Sequence, residues 1–249
     1  YASQKTPRSP SDVVFEVSSS MALGDHPGGF AGACWVFTNA ESVRLYRGND
    51  FIAEFTPDRR GRFAALPHPP IEIQDFVGSL LEKYEGLDQS TAPQVAAILN
   101  EMRRDALNLS PLSQARMLSL RLSANDLLRM YYKYIGVLGG PSSVYRFEAV
   151  WHGRTVRTVV KEPVQSVRLE CVVHNPILTD GPTWDCAAVG LRAIDQNGSL
   201  LPYCGEAVQL SVDGPLKIIG PSVVPLRGGM AGTYLATTGE AGRAVLHCR

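Results

Sequence analysis

Acid–base and nucleophilic chemistry needs carboxylates, imidazoles or thiols held a few ångströms apart, so these residue types are placed first. Glu16, Glu41, Glu54, Glu72, Glu148 and Glu170 all lie within or beside segments of alternating polarity. A glutamate between apolar neighbours in such a segment points to the opposite face, which is how a solvated sheet surface is written. That pattern does not converge two carboxyls on one bond. The histidines, 26, 68, 152, 174 and 247, are scattered, without the i, i+4 spacing that sets two imidazoles on one helix face. Cys34, Cys171, Cys186, Cys204 and Cys248 form no C-x-x-C pair, so zinc and thioredoxin-like chemistry lack their spacing. GGPSS at 139 and RGGMAG at 227 lack the lysine and the strand-to-helix context of a phosphate loop and read as turns. The expectation is no catalytic residue, no metal and no cofactor.

Binding groups are easier to nominate. SSSMALGDHPGG, residues 18–29, is polar and glycine-rich, and within it Asp25 and His26 can reach a ligand hydroxyl. Asp25 can equally form an Asx turn ahead of Pro27. Of the three tryptophans, Trp35 opens an apolar strand and is expected in the core, and Trp184 follows TDGPT and is expected to cover a sheet edge. Trp151 falls at a hairpin tip and is the exposed candidate, although packing is the commoner use of an aromatic ring.

The elements that must carry these groups change rhythm twice. VVFEV at 13–17 sets Val13, Phe15 and Val17 on one face, and CWVFTNAESVRLYRGNDFIAEF at 34–55 shows period-two alternation on both sides of Arg-Gly-Asn-Asp, a hairpin signature. There Phe51, Ala53 and Phe55 are expected opposite Ile52 and Glu54. Residues 71–135 turn helical. DFVGSLLEKYEG reads as one helix, and QVAAILNEMRRDAL carries Val95, Ile98, Leu99, Met102 and Leu107 along one side. Ser110 before Pro111 and Ser123 before Asp126 start two more, with Gly136 placed to stop the last. Leu112, Leu118, Leu122, Leu127, Leu128 and Tyr131 are expected in the core. Strand rhythm returns in VYRFEAVWHGRTVRTVVKE, with a turn at His152 and Gly153. From Val164 onward short strands alternate with turns at Asn197-Gly198 and Asp213-Gly214. The fold expected is mainly β with an α-helical insertion: two immunoglobulin-like β-sandwiches, with a helical bundle inserted in the first. Its divisions are an exit segment at 1–10, a sandwich at 11–163 interrupted by helices at 71–135, and a second sandwich at 164–249.

Twenty-four basic and twenty-four acidic residues cancel, so no global field attracts nucleic acid or an anionic membrane, and neither partner is expected. No run approaches the ~18 apolar residues of a membrane span, and YASQKTPRSPSD has no apolar signal core. The cysteines read as small apolar residues in strands, with a disulfide from Cys171 to Cys186 or Cys204 left open. Their odd number favours a reducing, cytoplasmic setting.

Several of these stretches together resemble the C-terminal, non-catalytic domains of family 2 glycoside hydrolases, the β-galactosidase group. Four features carry the likeness in the second unit: the Asp-Gln-Asn-Gly turn at 195–198, LPY at 201–203, VDGP at 212–215 and RGGMAG at 227–232. In the first unit, Asn39, Val43 and Leu45 match that group's hairpin, YRFEAVWHGRTVRTVV resembles its closing strands, and YASQ is similar to the chain leaving the catalytic barrel. The resemblance implies a retaining β-glycosidase as parent, whose two glutamates, ~5 to 5.5 Å apart, project from a β/α barrel. No β/α alternation of that kind occurs here. The segment is therefore expected to be an accessory region, with the parent's catalytic barrel as partner and with carbohydrate and a second copy as further candidates. Asp25, His26 and Trp151 are the residues expected to touch a sugar. Two alternatives stay open: an autonomous carbohydrate-binding module, or an interaction and oligomerisation module working through the helices.

Overall fold

A computed structural model describes residues 1–18, 32–135 and 144–249. The chain divides into two compact units, Tyr1–Pro163 and Val164–Arg249. Among the described residues it is mainly β, with four α-helices, all in the first unit.

In the first unit, β1 (Phe15–Val17), β2 (Cys34–Thr38) and β5 (Ile71–Ile73) form an antiparallel sheet in the order β1-β2-β5. A second sheet, ordered β4-β3-β6-β7, joins β3 (Ser42–Arg47), β4 (Asp50–Phe55), β6 (Tyr145–Trp151) and β7 (Arg154–Lys161). Two hairpins expected from the sequence organise it. Gly48 turns β3 into β4 at φ +57°, and His152 and Gly153, both left-handed at +49° and +71°, make the two-residue β6–β7 turn. Inner-face residues of both sheets, among them Cys34, Val36, Val43, Leu45, Ile71, Phe147 and Ala149, share one core with the helices.

Alternation along β4 departs from expectation. Leu45 pairs with Ala53 but Tyr46 with Phe51, so Ile52 is the extra residue of a bulge. The bulge turns Ile52 into the core at 6% exposure and leaves Phe51 outside at 49%.

The helices lie between β5 and β6 in the chain: α1 (Leu80–Glu85), α2 (Ala92–Arg104), α3 (Pro111–Ser119) and α4 (Ala124–Tyr134). They begin later than the rhythm change at residue 71 implies, because Ile71 and Ile73 face the core as strand residues while Glu72 faces outward. Asp75 then accepts from the amides of Val77 and Gly78, at 2.9 and 3.1 Å, making a turn where a helix was expected. Both serine caps form as read: Ser110 Oγ accepts from the Ser113 amide, and Ser123 and Asp126 make a reciprocal capping box. The expected stop at Gly136 lies outside the described residues.

Three leucines expected inside are not. Leu107 falls beyond the end of α2, at φ +71°, and is exposed. On α3 the inward residues are Ser113, buried against Glu101, with Met117 and Leu120. That helical phase turns Leu112 and Leu118 out, to 61% and 75% exposure.

The second unit contains β8 (Val167–Val173), β9 (Cys186–Asp195), β10 (Ala207–Asp213), β11 (Leu216–Ile219), β12 (Val223–Pro225), β13 (Met230–Thr237) and β14 (Val245–Cys248). These form two antiparallel sheets, ordered β11-β13-β9-β8 and β12-β10-β14. Val189, Leu191, Leu210, Val224 and Leu235 are among the residues of its own core. The sequence features that carried the family likeness act here as turn devices. Buried Asp195 accepts from the amides of Asn197 and Ser199 at 2.9 and 2.7 Å, and Gly198 supplies φ +76°. Gly229, at φ +73°, lies against the Leu201 carbonyl with no room for a Cβ.

All five cysteines are free thiols. Cys34 is buried as expected of a small apolar residue, whereas Cys171 is exposed. The thiol of Cys171 lies within hydrogen-bonding reach of Cys248, and no disulfide joins it to Cys186 or Cys204.

Candidate functional site

Alternation in β2 decides which of its side chains can meet a ligand. Cys34, Val36 and Thr38 are buried, so Trp35 and Phe37 project from the other face. Trp35 is therefore half-buried on the outside of its sheet, not in the core as expected. Its cross-strand neighbour is Glu72, the outward residue of β5. Phe63, in the segment that joins β4 to β5, packs edge-on against Trp35 with ring centroids 5.6 Å apart at 87°. Together with Phe55, Asp58, Arg62 and Gln74 these side chains line a cleft of about 560 Å³.

Each wall of this cleft is fixed from behind. Glu54 takes Ser42 Oγ at 2.5 Å and Arg44 Nε at 2.8 Å, and these two contacts, the serine first, hold its carboxyl below the usual range. Asp58 Oδ1 accepts from the amides of Arg60 and Gly61 at 2.8 and 3.0 Å, shaping the connecting segment. At its other end Gln4 and His68 exchange amide hydrogen bonds of 2.8 and 3.1 Å. The Arg62 guanidinium lies 5.4 Å over the Phe63 ring. Gln74 Nε2 donates to Glu72 Oε2 at 3.0 Å.

Of the residues nominated from the sequence to touch a sugar, Trp151 alone lies among the described residues. Asp25 and His26 lie outside the described residues. Trp151 ends β6, half-buried and packed against the core, with its ring 4.2 Å from that of His152. Trp184 is 58% exposed, in the other unit. Three further glutamates have donors beside them. Glu41 accepts from the His152 amide at 3.0 Å, Glu148 pairs with Arg146 at 3.1 Å, and Glu170 pairs with Arg192 at 3.3 Å. A general acid for glycoside cleavage requires a carboxyl pushed up; the shifts resolved at Glu54 and Glu85 run down. Among the described residues, no group of three or more His, Cys, Asp or Glu side chains could hold a metal. No helix of the described residues is long and apolar enough to cross a membrane.

The Trp35 cleft escaped the sequence reading because an apolar strand start looks the same whichever face its aromatic occupies. The available signal was the burial phase: Cys34 and Val36 are both small and apolar, which forces Trp35 to the other side.

Among the described residues the chain is mainly β. No family model matches it. The chain is 25% identical over 214 residues to a β-galactosidase of Thermoanaerobacter pseudethanolicus, a match covering 86% of this chain and 22% of that protein. A β-galactosidase of Rhizobium radiobacter is 40% identical over 62 residues, 25% of this chain and 45% of that one. Among solved structures, a β-glycosidase from Bacteroides vulgatus superposes with a TM-score of 0.53 at 11% identity, over 95% of this chain and 23% of that one, which is a likeness of fold. The particular resemblance is to the β-galactosidases of glycoside hydrolase family 2, as the sequence features indicated. The chain spans about a fifth of the Thermoanaerobacter relative's length.

Proposed function

We propose that this chain is a non-catalytic, C-terminal accessory region of a retaining β-glycosidase of the β-galactosidase type, whose catalytic barrel lies elsewhere in the parent chain. One observation carries the reading: the match takes in 86% of this chain but only 22% of the Thermoanaerobacter protein. The strand glutamates Glu54, Glu72, Glu148 and Glu170, each with a donor beside it on a sheet surface, fit it. In the finer reading, each unit is an immunoglobulin-like sandwich, and the first carries the helices as an insertion. Its work is mechanical: stable layered sheets brace the barrel and shape an edge of the substrate cleft. Asp25 and His26 are the proposed contacts toward that cleft, and replacing both with alanine in the parent enzyme should alter its kinetics. The free cysteines favour a reducing compartment.

The coding sequence around this segment tests the reading. A frame running into an eightfold β/α alternation with two strand-end glutamates supports it. An open frame with no such alternation overturns it.

A second reading, oligomerisation through the helices, draws on the exposed Leu112 and Leu118 of α3. Replacing both with serine should then lower the oligomeric mass in solution.

A further inference from the structure

The Trp35 cleft combines two kinds of surface that a solvated sheet face seldom brings together. Trp35 and Phe63 offer aromatic carbon, held in a fixed edge-to-face arrangement at 5.6 Å. Around them stand acceptors on Glu72 and Asp58, an amide on Gln74 and a guanidinium on Arg62. A hexose has the complementary surface: a C–H face that packs on an aromatic ring, and a rim of hydroxyls that both donate and accept. A carboxylate can accept about four hydrogen bonds, so the single Gln74 contact leaves Glu72 with capacity for a pair of adjacent hydroxyls. The polar groups are also preorganised. The Asp58 turn and the Gln4–His68 exchange pin both ends of the segment that carries Phe63 and Arg62, which lowers the ordering cost of binding. At about 560 Å³ the cleft is within the ~300 to 1,000 Å³ typical of small-molecule sites.

Charge narrows the ligand. With Glu54 paired to Arg44, Asp58 and Glu72 still outnumber Arg62 in the lining, so uronate or sulfated sugars meet repulsion. An amine would be drawn by the carboxylates, but Arg62 opposes it and supplies donors that a protonated amine cannot use and a hydroxyl can.

We propose that this cleft is a binding site for the neutral hexose units of an oligosaccharide, floored by Trp35 and Phe63 and rimmed by Glu72, Asp58, Gln74 and Arg62. The site goes beyond the accessory role and does not depend on it. Loss of sugar binding would leave the coding-frame test untouched, and an absent barrel would leave the cleft intact.

The experiment is calorimetric and fluorescence titration of the chain with lactose and with cellotetraose, using glucuronate and spermidine as charged probes. Saturation by a neutral sugar below about 10 mM is expected, with glucuronate at least about tenfold weaker. Trp35→Ala should weaken binding about tenfold, and Glu72→Gln and Asp58→Asn about three- to tenfold each. Trp184→Phe should leave it unchanged. Should Trp35→Ala fail to fold, the two surface carboxylate variants still decide the matter. No saturation with either neutral sugar, equal binding by the Glu72→Gln and Asp58→Asn variants, or tighter binding of spermidine than of sugar would overturn the assignment.

Discussion

Glu85, at the end of α1, joins that helix to α4 through three donors. Its Oε1 takes Lys133 Nζ at 2.6 Å and the Tyr134 hydroxyl at 2.7 Å, and its Oε2 takes Arg129 Nη2 at 3.2 Å. The Lys133 contact above all, opposed by desolvation and helped by Tyr134 and Arg129, brings its pKa from 4.5 to about 2. That gap corresponds to a ceiling of ~3 kcal/mol. The Glu85 side chain is 13% exposed, but Arg129 and Lys133 are 57% and 47% exposed, so water screens them and about 1 to 2 kcal/mol is the expected share. Because the folded pKa is depressed, the contribution is fully present above the unfolded value near 4.5 and is lost as pH falls toward 2. Glu85→Gln preserves shape and removes charge. Urea unfolding followed by the helical far-UV CD signal should place the variant about 1 to 2 kcal/mol below wild type near pH 7, with the difference under half as large at about pH 3. Other carboxylates titrate in both proteins and cancel. A difference that stays constant across that window would mean that Glu85 acts by shape, and none at neutral pH would mean that water has replaced the bridge. Either result refutes the electrostatic account.

Gly78 sits at φ +52° with the Ile52 carbonyl 2.6 Å from where a Cβ would stand, so Gly78→Ala should cost at least about 2 kcal/mol in chemical unfolding. Phe147 is fully buried in β6 and Leu118 is 75% exposed, so Phe147→Ala should cost about 3 to 5 kcal/mol and Leu118→Ala under about 0.5 kcal/mol by the same measurement. Burial, with Cys171 beside it, pushes the Cys248 thiol up to about 11. Alkylation near pH 8, read by peptide mass spectrometry, should therefore label exposed Cys171 well before Cys248.

Local signals were legible where one residue type has one structural use. The serine caps at Ser110 and Ser123, the turns at His152-Gly153 and Asn197-Gly198, and the strand alternation around Val43 and Leu45 all depend on contacts within a few residues. Features set by tertiary phase were not. Ile71 to Ile73 is short enough to suit a helix or a strand, and only pairing with β2 decides it. The bulge at Ile52 reverses an alternation that reads perfectly well without it. On α3 the polar Ser113 faces inward because Glu101 receives its hydroxyl, and that contact sends Leu112 and Leu118 to the surface. Trp35 belongs to the same group, since a strand's pattern gives two faces but does not say which one meets the core. Asp25 and His26 were nominated on loop composition alone, and composition places no side chain.

The role proposed for this segment is to accompany glycoside cleavage without performing it. Incubating the purified chain with nitrophenyl β-galactoside tests this most directly. No nitrophenol release above the rate in buffer is expected at any protein concentration. Release that rises in proportion to the chain and co-elutes with it through a final sizing column would contradict it.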